Sequence, residues 1–346
     1  MAAEQSCVDL RSDTVTHPTE AMLERMQCAP LGDDGREGDP TVRKLEARGA
    51  GLTGKEAALF VPSGTMGNLL AMLVHAEPGA VILADGGAHL LNSEIGSVTR
   101  IAGLVPTPVP SHQGAMDEAA LEETVRLSLA STRVGLIAME TTHNGAGGMV
   151  LSLSHMERIQ ALGRSHRVPV HLDGARVFNA AVALGVGARD IAVHADSIMF
   201  CLSKGLSAPV GSLLCGSGDF IAKARGFRKL VGGNMRQAGV VAAAGLVALE
   251  TMIERLRDDH ARAKRLATGL SWLDPSLTEP ARVQTNILRI DLSAGARKAP
   301  SWASALKEHG VLVQASAANQ LRLVTHRHID DSAVDRTIAA FAALGR

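Results

Sequence analysis

Four apolar runs in this 346-residue chain end on side chains that can do chemistry. "SIMFCLSK" delivers Lys204, "VPVHLDG" delivers Asp173, "VGLIAMETTHN" delivers Glu140 and His143, and "ALFVPSGT" delivers Ser63, Gly64 and Thr65. A lysine at the end of a buried run ordinarily lays its stem along the strand and solvates its ammonium. The others have ordinary uses too. Ser63 and Asp173 suit helix caps, and His143 suits a hydrogen-bonded histidine beside a turn. As a set they offer something more specific: an amine able to form an imine, an acid, and a helix start that suits a phosphate.

That set meets the requirements of pyridoxal 5'-phosphate, which needs a Schiff-base lysine, an acidic partner for its pyridinium nitrogen and a phosphate cup. A carboxylate beside the ring nitrogen favours its protonated form. The protonated ring can then take up electron density from a bond broken at an amino acid's α-carbon. Lys204 is expected to have a depressed pKa near such a cationic ring. The chain has no tyrosine, so an imidazole is expected to cover the ring. His89 in "DGGAHLLNSE" is the candidate, its ordinary alternative being a surface histidine at a helix start. Neither G-x-G-x-x-G nor G-x-x-x-x-G-K-[ST] occurs, which disfavours a dinucleotide or nucleoside triphosphate site.

The elements that must position these groups are legible in outline. Strands are predicted at 58–64, 80–85, 134–140, 168–174, 197–204 and 210–216, and helices at 64–76, 117–128, 154–166 and 175–184. Continuous apolar strands separated by helices predict a mostly parallel sheet covered on both faces, with ligands at the carboxyl ends of its strands. From about 235 one long helical stretch to about 270 leads to "TNILRIDL", "NQLRLVTH" and a last helix near 331–345. The expected class is α/β: a large domain with a mostly parallel sheet plus a small C-terminal α+β domain. The expected divisions are an N-terminal segment at 1–30, a large cofactor-binding domain at 31–245, and a connecting helix with the small domain at 246–346.

Composition narrows the partners. Thirty-five basic residues balance 35 acidic ones, with no block of like charge, so neither nucleic acid nor an anionic membrane is expected. The start, "MAAEQSCVDLRSD", has no basic or apolar region of a signal peptide, and "VVAAAGLVAL" is too short to span a bilayer. The four cysteines lack metal-site spacing, so no metal is expected and reduced thiols in a cytoplasmic protein are the simpler reading.

Seven segments in one order carry a resemblance. "DLRSDTVTHPTEAM", "GDDGREGDPTVRKLE", "PSGTMGN", "ETTHNGAGG", "HLDGARVFNAAVALG", "CLSKGLSAPVGS" and "RKLVGGNMRQAGVVAAAG" resemble L-threonine aldolases. These are pyridoxal-phosphate enzymes of the aspartate-aminotransferase fold type (fold type I). The likeness runs from about residue 8 to "LRLVTH" at 321–326. It implies that Lys204 is the Schiff-base lysine, Asp173 the pyridinium partner, and Gly64 and Thr65 the phosphate cup. It implies His89 stacked on the ring, His143 near the substrate hydroxyl, and Ser12, Arg176 and Arg322 on the substrate carboxylate. Arginine suits that work because its planar fork grips a carboxylate bidentately.

The implied reaction cleaves L-threonine, L-allo-threonine or a related β-hydroxy-α-amino acid to glycine and an aldehyde, with His143 or His89 as candidate base. Elimination, transamination or transaldol transfer on the same cofactor are the alternatives, since the fold alone does not choose among them. The family commonly reads D-D-V-Y-G where this chain has Asp33-Asp34-Gly35-Arg36-Glu37. Arg36 therefore either draws a second carboxylate on the substrate side chain or faces solvent at a subunit contact. The resemblance also implies a homo-oligomer, a dimer of dimers, in which Arg236 reaches the cofactor phosphate or a subunit contact.

Overall fold

The computed structural model describes residues 7–345. A seven-stranded sheet forms its centre: β1 (Ala57–Val61), β2 (Val81–Asp85), β3 (Val105–Val109), β4 (Val134–Glu140), β5 (Val170–Asp173), β6 (Ser197–Cys201) and β7 (Ser212–Gly216). Across the sheet the order is β1-β7-β6-β5-β4-β2-β3. Only β7 runs antiparallel to its neighbours, so the other six strands share one carboxyl edge. The six predicted runs all lie in this sheet. The unpredicted strand, β3, reads "VPTPV", and proline cannot complete a ladder on both sides. It occupies the sheet edge, where that loss is tolerated.

Helix α1 (Gly64–His75) leaves β1 through the Ser63 N-cap, whose hydroxyl accepts from Met66 N–H. Its first turn lies almost on β6. A Cβ on Gly64 would stand 2.8 Å from Cys201 Sγ, and one on Gly67 would stand 2.6 Å from Met199 Cγ. Glycine at both positions lets the helix start approach the strand that leads to Lys204.

The buried apolar side chains form four clusters. The large core lies on one face of the sheet and contains Phe60, Leu83, Ile137, Leu172, Phe200 and Leu213. Alternate strand residues build two clusters on the opposite face, one around Ile82 and Leu136 and one around Leu59, Met199 and Leu214. A separate small core gathers Leu266, Leu288, Leu323 and Phe341 from the C-terminal part, together with Val8 and Leu10 from the start of the chain. Val8–Asp9 pairs parallel with Val311–Leu312. This pairing carries Ser12 and Asp13 from the N-terminal end to the carboxyl edge of the large sheet.

The single long helix expected near 235–270 is two helices, Gly239–Thr251 and Leu256–Leu273. The first is buried nearly all round in the large core, while the second turns Ala263, Leu266, Ala267 and Leu270 toward the small one. One straight axis does not serve both, and the chain re-aims at 252–255. Among the described residues no helix is long and apolar enough to cross a membrane.

Candidate active site

At the carboxyl edge of the sheet lies a cavity of about 360 Å³, within the usual range for small-molecule sites. Eight of the eleven residues singled out in the sequence line it: Ser12, Gly64, Thr65, His89, Asp173, Arg176, Lys204 and Arg322. They arrive from the ends of β1, β2, β5 and β6, from the N-terminal segment and from Gln320–Val324, the central strand of a three-stranded sheet.

One side of the cavity is acidic. Asp173 and Glu140 are register partners at the ends of β5 and β4. Asp173 accepts from Ala175 N–H at 3.1 Å through Oδ1 and from Asn68 Nδ2 at 2.9 Å through Oδ2. Burial, then the neighbouring Glu140 and Glu94, push its carboxyl up to about 6. A buried acid crowded by two others is a site that favours a cation beside it.

Glu94 holds this side together. Its Oε1 accepts from Thr65 Oγ1 at 3.1 Å and lies 3.0 Å from His89 Nδ1. His89 N–H donates to Glu140 Oε2 at 2.6 Å. The hydrogen bond to Glu94 is the main cause that raises the His89 pKa above its ordinary value. At the start of α1, Ser63 receives Met66 N–H through its hydroxyl and Gly67 N–H through its carbonyl. Neither bond uses the N–H of Gly64 or Thr65, and both residues line the cavity.

The other side is cationic. Arg176 Nε and Nη2 each donate to Asp13 at 2.7 Å, a buried bidentate pair, and Nη1 has no partner among the described residues. Asn286 also donates to Asp13, at 3.2 Å. Arg322 donates to Asn144 Oδ1 at 2.8 Å and to Arg11 O at 3.0 Å, while its buried Nε has no partner among the described residues. Burial and the nearby Arg176 both lower the Arg322 pKa. Only Arg176 of the two guanidiniums is hydrogen-bonded to a carboxylate, so this side of the cavity suits a further anion.

Three expected residues are elsewhere. His143 is buried beyond the cavity lining, with Nε2 2.8 Å from Asp85 Oδ2 and Nδ1 accepting Ala146 N–H at 3.0 Å. Both ring nitrogens are engaged in these contacts, and His143 is not among the residues that line this cavity. Arg36 and Arg236 are exposed and lie 3.7 Å and 3.4 Å from Asp33.

Sequence reasoning passed over Asp13, Asn68, Glu94 and Asn144 as functional groups. Asp13 adjoins Ser12, and Asn68 lies one helical turn beyond Gly64, so spacing offered a signal for both. Nothing local links Glu94 to Thr65 or Asn144 to Arg322.

The residues present fit pyridoxal phosphate: a raised acid for its ring nitrogen, a glycine-start helix for its phosphate, an imidazole and an amine in one cavity. Comparison with known proteins agrees. The family model described as "Beta-eliminating lyase" matches residues 9–293. The chain belongs to the beta-eliminating lyase family. Within that family, "Low-specificity L-threonine aldolase 1" of Arabidopsis thaliana is 43% identical over 340 residues, covering 96% of this chain and 95% of that protein. "Low specificity L-threonine aldolase" of Escherichia coli (strain K12) is 39% identical over 327 residues, covering 92% and 93%. The solved threonine aldolase of Leishmania major superposes with a TM-score of 0.83 at 18% identity, covering 97% of this chain and 99% of that one. At that identity the likeness speaks for the fold alone, fold type I.

Proposed function

We propose that this beta-eliminating lyase family member is a pyridoxal-phosphate-dependent aldolase. It cleaves L-threonine, L-allo-threonine or a related β-hydroxy-α-amino acid to glycine and an aldehyde. The observation that carries the reading is the convergence of Lys204, Asp173, His89, Arg176 and Arg322 on one cavity, in a chain whose curated relatives bear that activity in their names.

In this reading Lys204 holds the cofactor aldehyde carbon, Asp173 the ring nitrogen, His89 the ring face, and Gly64 and Thr65 the phosphate. Pyridoxal phosphate, when bound, supplies the electron sink for the pair released as Cα–Cβ breaks. The remaining work falls to the protein. Arg322 and the free Nη1 of Arg176 hold the substrate carboxylate, with Ser12 beside them and Asp13 fixing the Arg176 fork. Glu94 accepts from His89 Nδ1–H, which leaves Nε2 as the base for the β-hydroxyl proton. His143, its Nε2 held by Asp85, supports the loop that carries Asn144 to Arg322.

Arg36 and Arg236 reach a neighbouring copy in a closed homo-oligomer, a reading their exposure supports. The boundary near 245 separates a cofactor lobe from a smaller lobe, a division that the separate C-terminal core supports. The four cysteines are unpaired, which supports a reducing, cytoplasmic compartment.

The test is aldehyde and glycine release from L-threonine and L-allo-threonine by the purified protein with added pyridoxal phosphate. Stoichiometric glycine and acetaldehyde are expected. Faster release of a keto acid from serine or from an amino-group donor would replace aldol cleavage with elimination or transamination.

A further inference from the structure

Behind Asp173 a row of polar side chains continues into the interior from Asn68, and none of its further members takes part in the site described above. Helix α1 carries Asn68 and His75 two turns apart, and β5 carries His171 and Asp173 on one face. Ser197 opens β6 as the register partner of His171. The contacts form an unbroken chain. His75 Nε2 lies 2.7 Å from Ser197 Oγ, which lies 2.8 Å from His171 Nδ1. His171 Nε2 lies 3.1 Å from Asn68 Oδ1, and Asn68 Nδ2 donates to Asp173 Oδ2 at 2.9 Å. Asn68, His171 and Ser197 are fully buried.

The chemistry of the members fixes the direction. Asn68 Nδ2 faces the carboxylates of Asp173 and Glu94, which accept, so the amide oxygen must face His171. That oxygen only accepts, so His171 Nε2 carries the hydrogen. Burial pushes the His171 pKa down to about 3, so the ring is neutral and Nδ1 accepts the Ser197 hydroxyl. The Ser197 oxygen is then left to accept from His75 Nε2–H. Every donor in the row points toward Asp173.

We propose that His75, Ser197, His171 and Asn68 form a one-directional donor relay that keeps the Asp173 carboxylate ionised and aimed into the cavity. This rests on the reading of Asp173 as the partner of the cofactor's ring nitrogen. The need is visible at Asp173 itself, where burial and then the neighbouring Glu140 and Glu94 favour its protonated form. A protonated Asp173 would do nothing to keep the ring protonated, and the relay supplies the opposing bias. The four members are positioning residues, since none of them lines the cavity.

Two measurements on the full chain test the relay. In the cofactor-free protein, nitrogen NMR of the histidine side chains should show His171 and His75 neutral and protonated on Nε2 at pH 7. Pyridoxal phosphate affinity, with a melting temperature for each variant, should fall roughly 10- to 100-fold in Asn68→Leu and His171→Leu, the scale of a lost hydrogen bond to a charged group. His171→Gln, whose amide N–H can stand where Nε2–H stood, should recover most of that loss. Ser197→Ala should lower affinity severalfold with little change in melting.

If borohydride traps the cofactor on Lys204 in the wild type but folded variants bind it equally well, the relay is overturned and the site reading stands. A hydrogen on His171 Nδ1 overturns the relay as well. A wild type that does not bind pyridoxal phosphate overturns both. Should the leucine variants fail to fold, Ser197→Ala and the tautomer decide.

Discussion

The Glu94 carboxylate grips the His89 ring by one nitrogen, with Oε1 3.0 Å from Nδ1. A carboxylate can only accept, so Nδ1 carries the hydrogen and Nε2 is left as the base. The contact also raises the His89 pKa above 6.5. Since the base must be neutral, kcat/KM is expected to fall as pH drops through that raised value. Glu94→Gln removes the main cause of the shift and should move this acid limb to lower pH. His89→Asn, at saturating cofactor, should lower kcat by about 100-fold or more, the scale of a lost general base. pH–rate profiles of the three proteins check this, and an unchanged kcat in His89→Asn would remove His89 from the role.

Asp13 is the buried counter-ion that sets the Arg176 fork. Asp13→Asn keeps the shape but weakens that hold, so KM for the amino acid should rise about 10-fold with a smaller change in kcat. Asp13→Ala leaves a buried guanidinium without its partner and should cost about 3–5 kcal/mol of stability. The Asp13 carboxyl is held well below its ordinary value, chiefly by Arg176 against the cost of burial. Its contribution is therefore complete above about pH 4 and lost as pH falls further. Denaturant titrations of both variants at pH 7 and in acid measure each part.

Gly64→Ala puts a methyl 2.8 Å from Cys201 Sγ and 3.2 Å from the Met199 thioether. Helix α1 must then lift from β6, and overpacking of this kind costs about 1–3 kcal/mol. Pyridoxal phosphate affinity should weaken by at least tenfold. Pairing the change with Cys201→Ala, which vacates the contact, should recover part of that loss in the same titration.

His171 is buried neutral, its pKa pushed down to about 3. A histidine lowered in the fold is neutral in both states above about pH 6.5, so its contribution is full there. Below that value the unfolded chain takes up a proton the native ring refuses. The contribution then falls by about 1.4 kcal/mol per pH unit. His171→Gln removes the titration, and its stability relative to wild type should rise by that slope between about pH 6.5 and 5 in cofactor-free urea titrations.

Much of this was legible in the sequence where one rule acted alone. Lys204, Asp173 and Gly64 follow directly from apolar runs that end at a sheet edge, so the strands disclosed them. The edge strand at 105–109 was hidden because its two prolines argue against a strand until an edge position is available. The break at 252–255 was hidden because the helical period continues through it, and only the separate C-terminal core reveals the turn. Asp13 and Glu94 are set by long-range contacts, with Arg176 and with Asn68 and Thr65, which local patterning does not encode. His143 reads identically in sequence whether it faces the cavity or Asp85, and packing of the loop after β4 decided between them.

In the proposed function Lys204 is the amine that carries the cofactor. Its most direct test is borohydride reduction of the purified protein with pyridoxal phosphate, followed by peptide mapping. An absorbance band near the visible edge should disappear on reduction, with the added mass on Lys204 and none on the other lysines. A band absent after cofactor addition, or a label on a lysine outside the cavity, would contradict it and return Lys204 to the role of a solvated strand-end lysine.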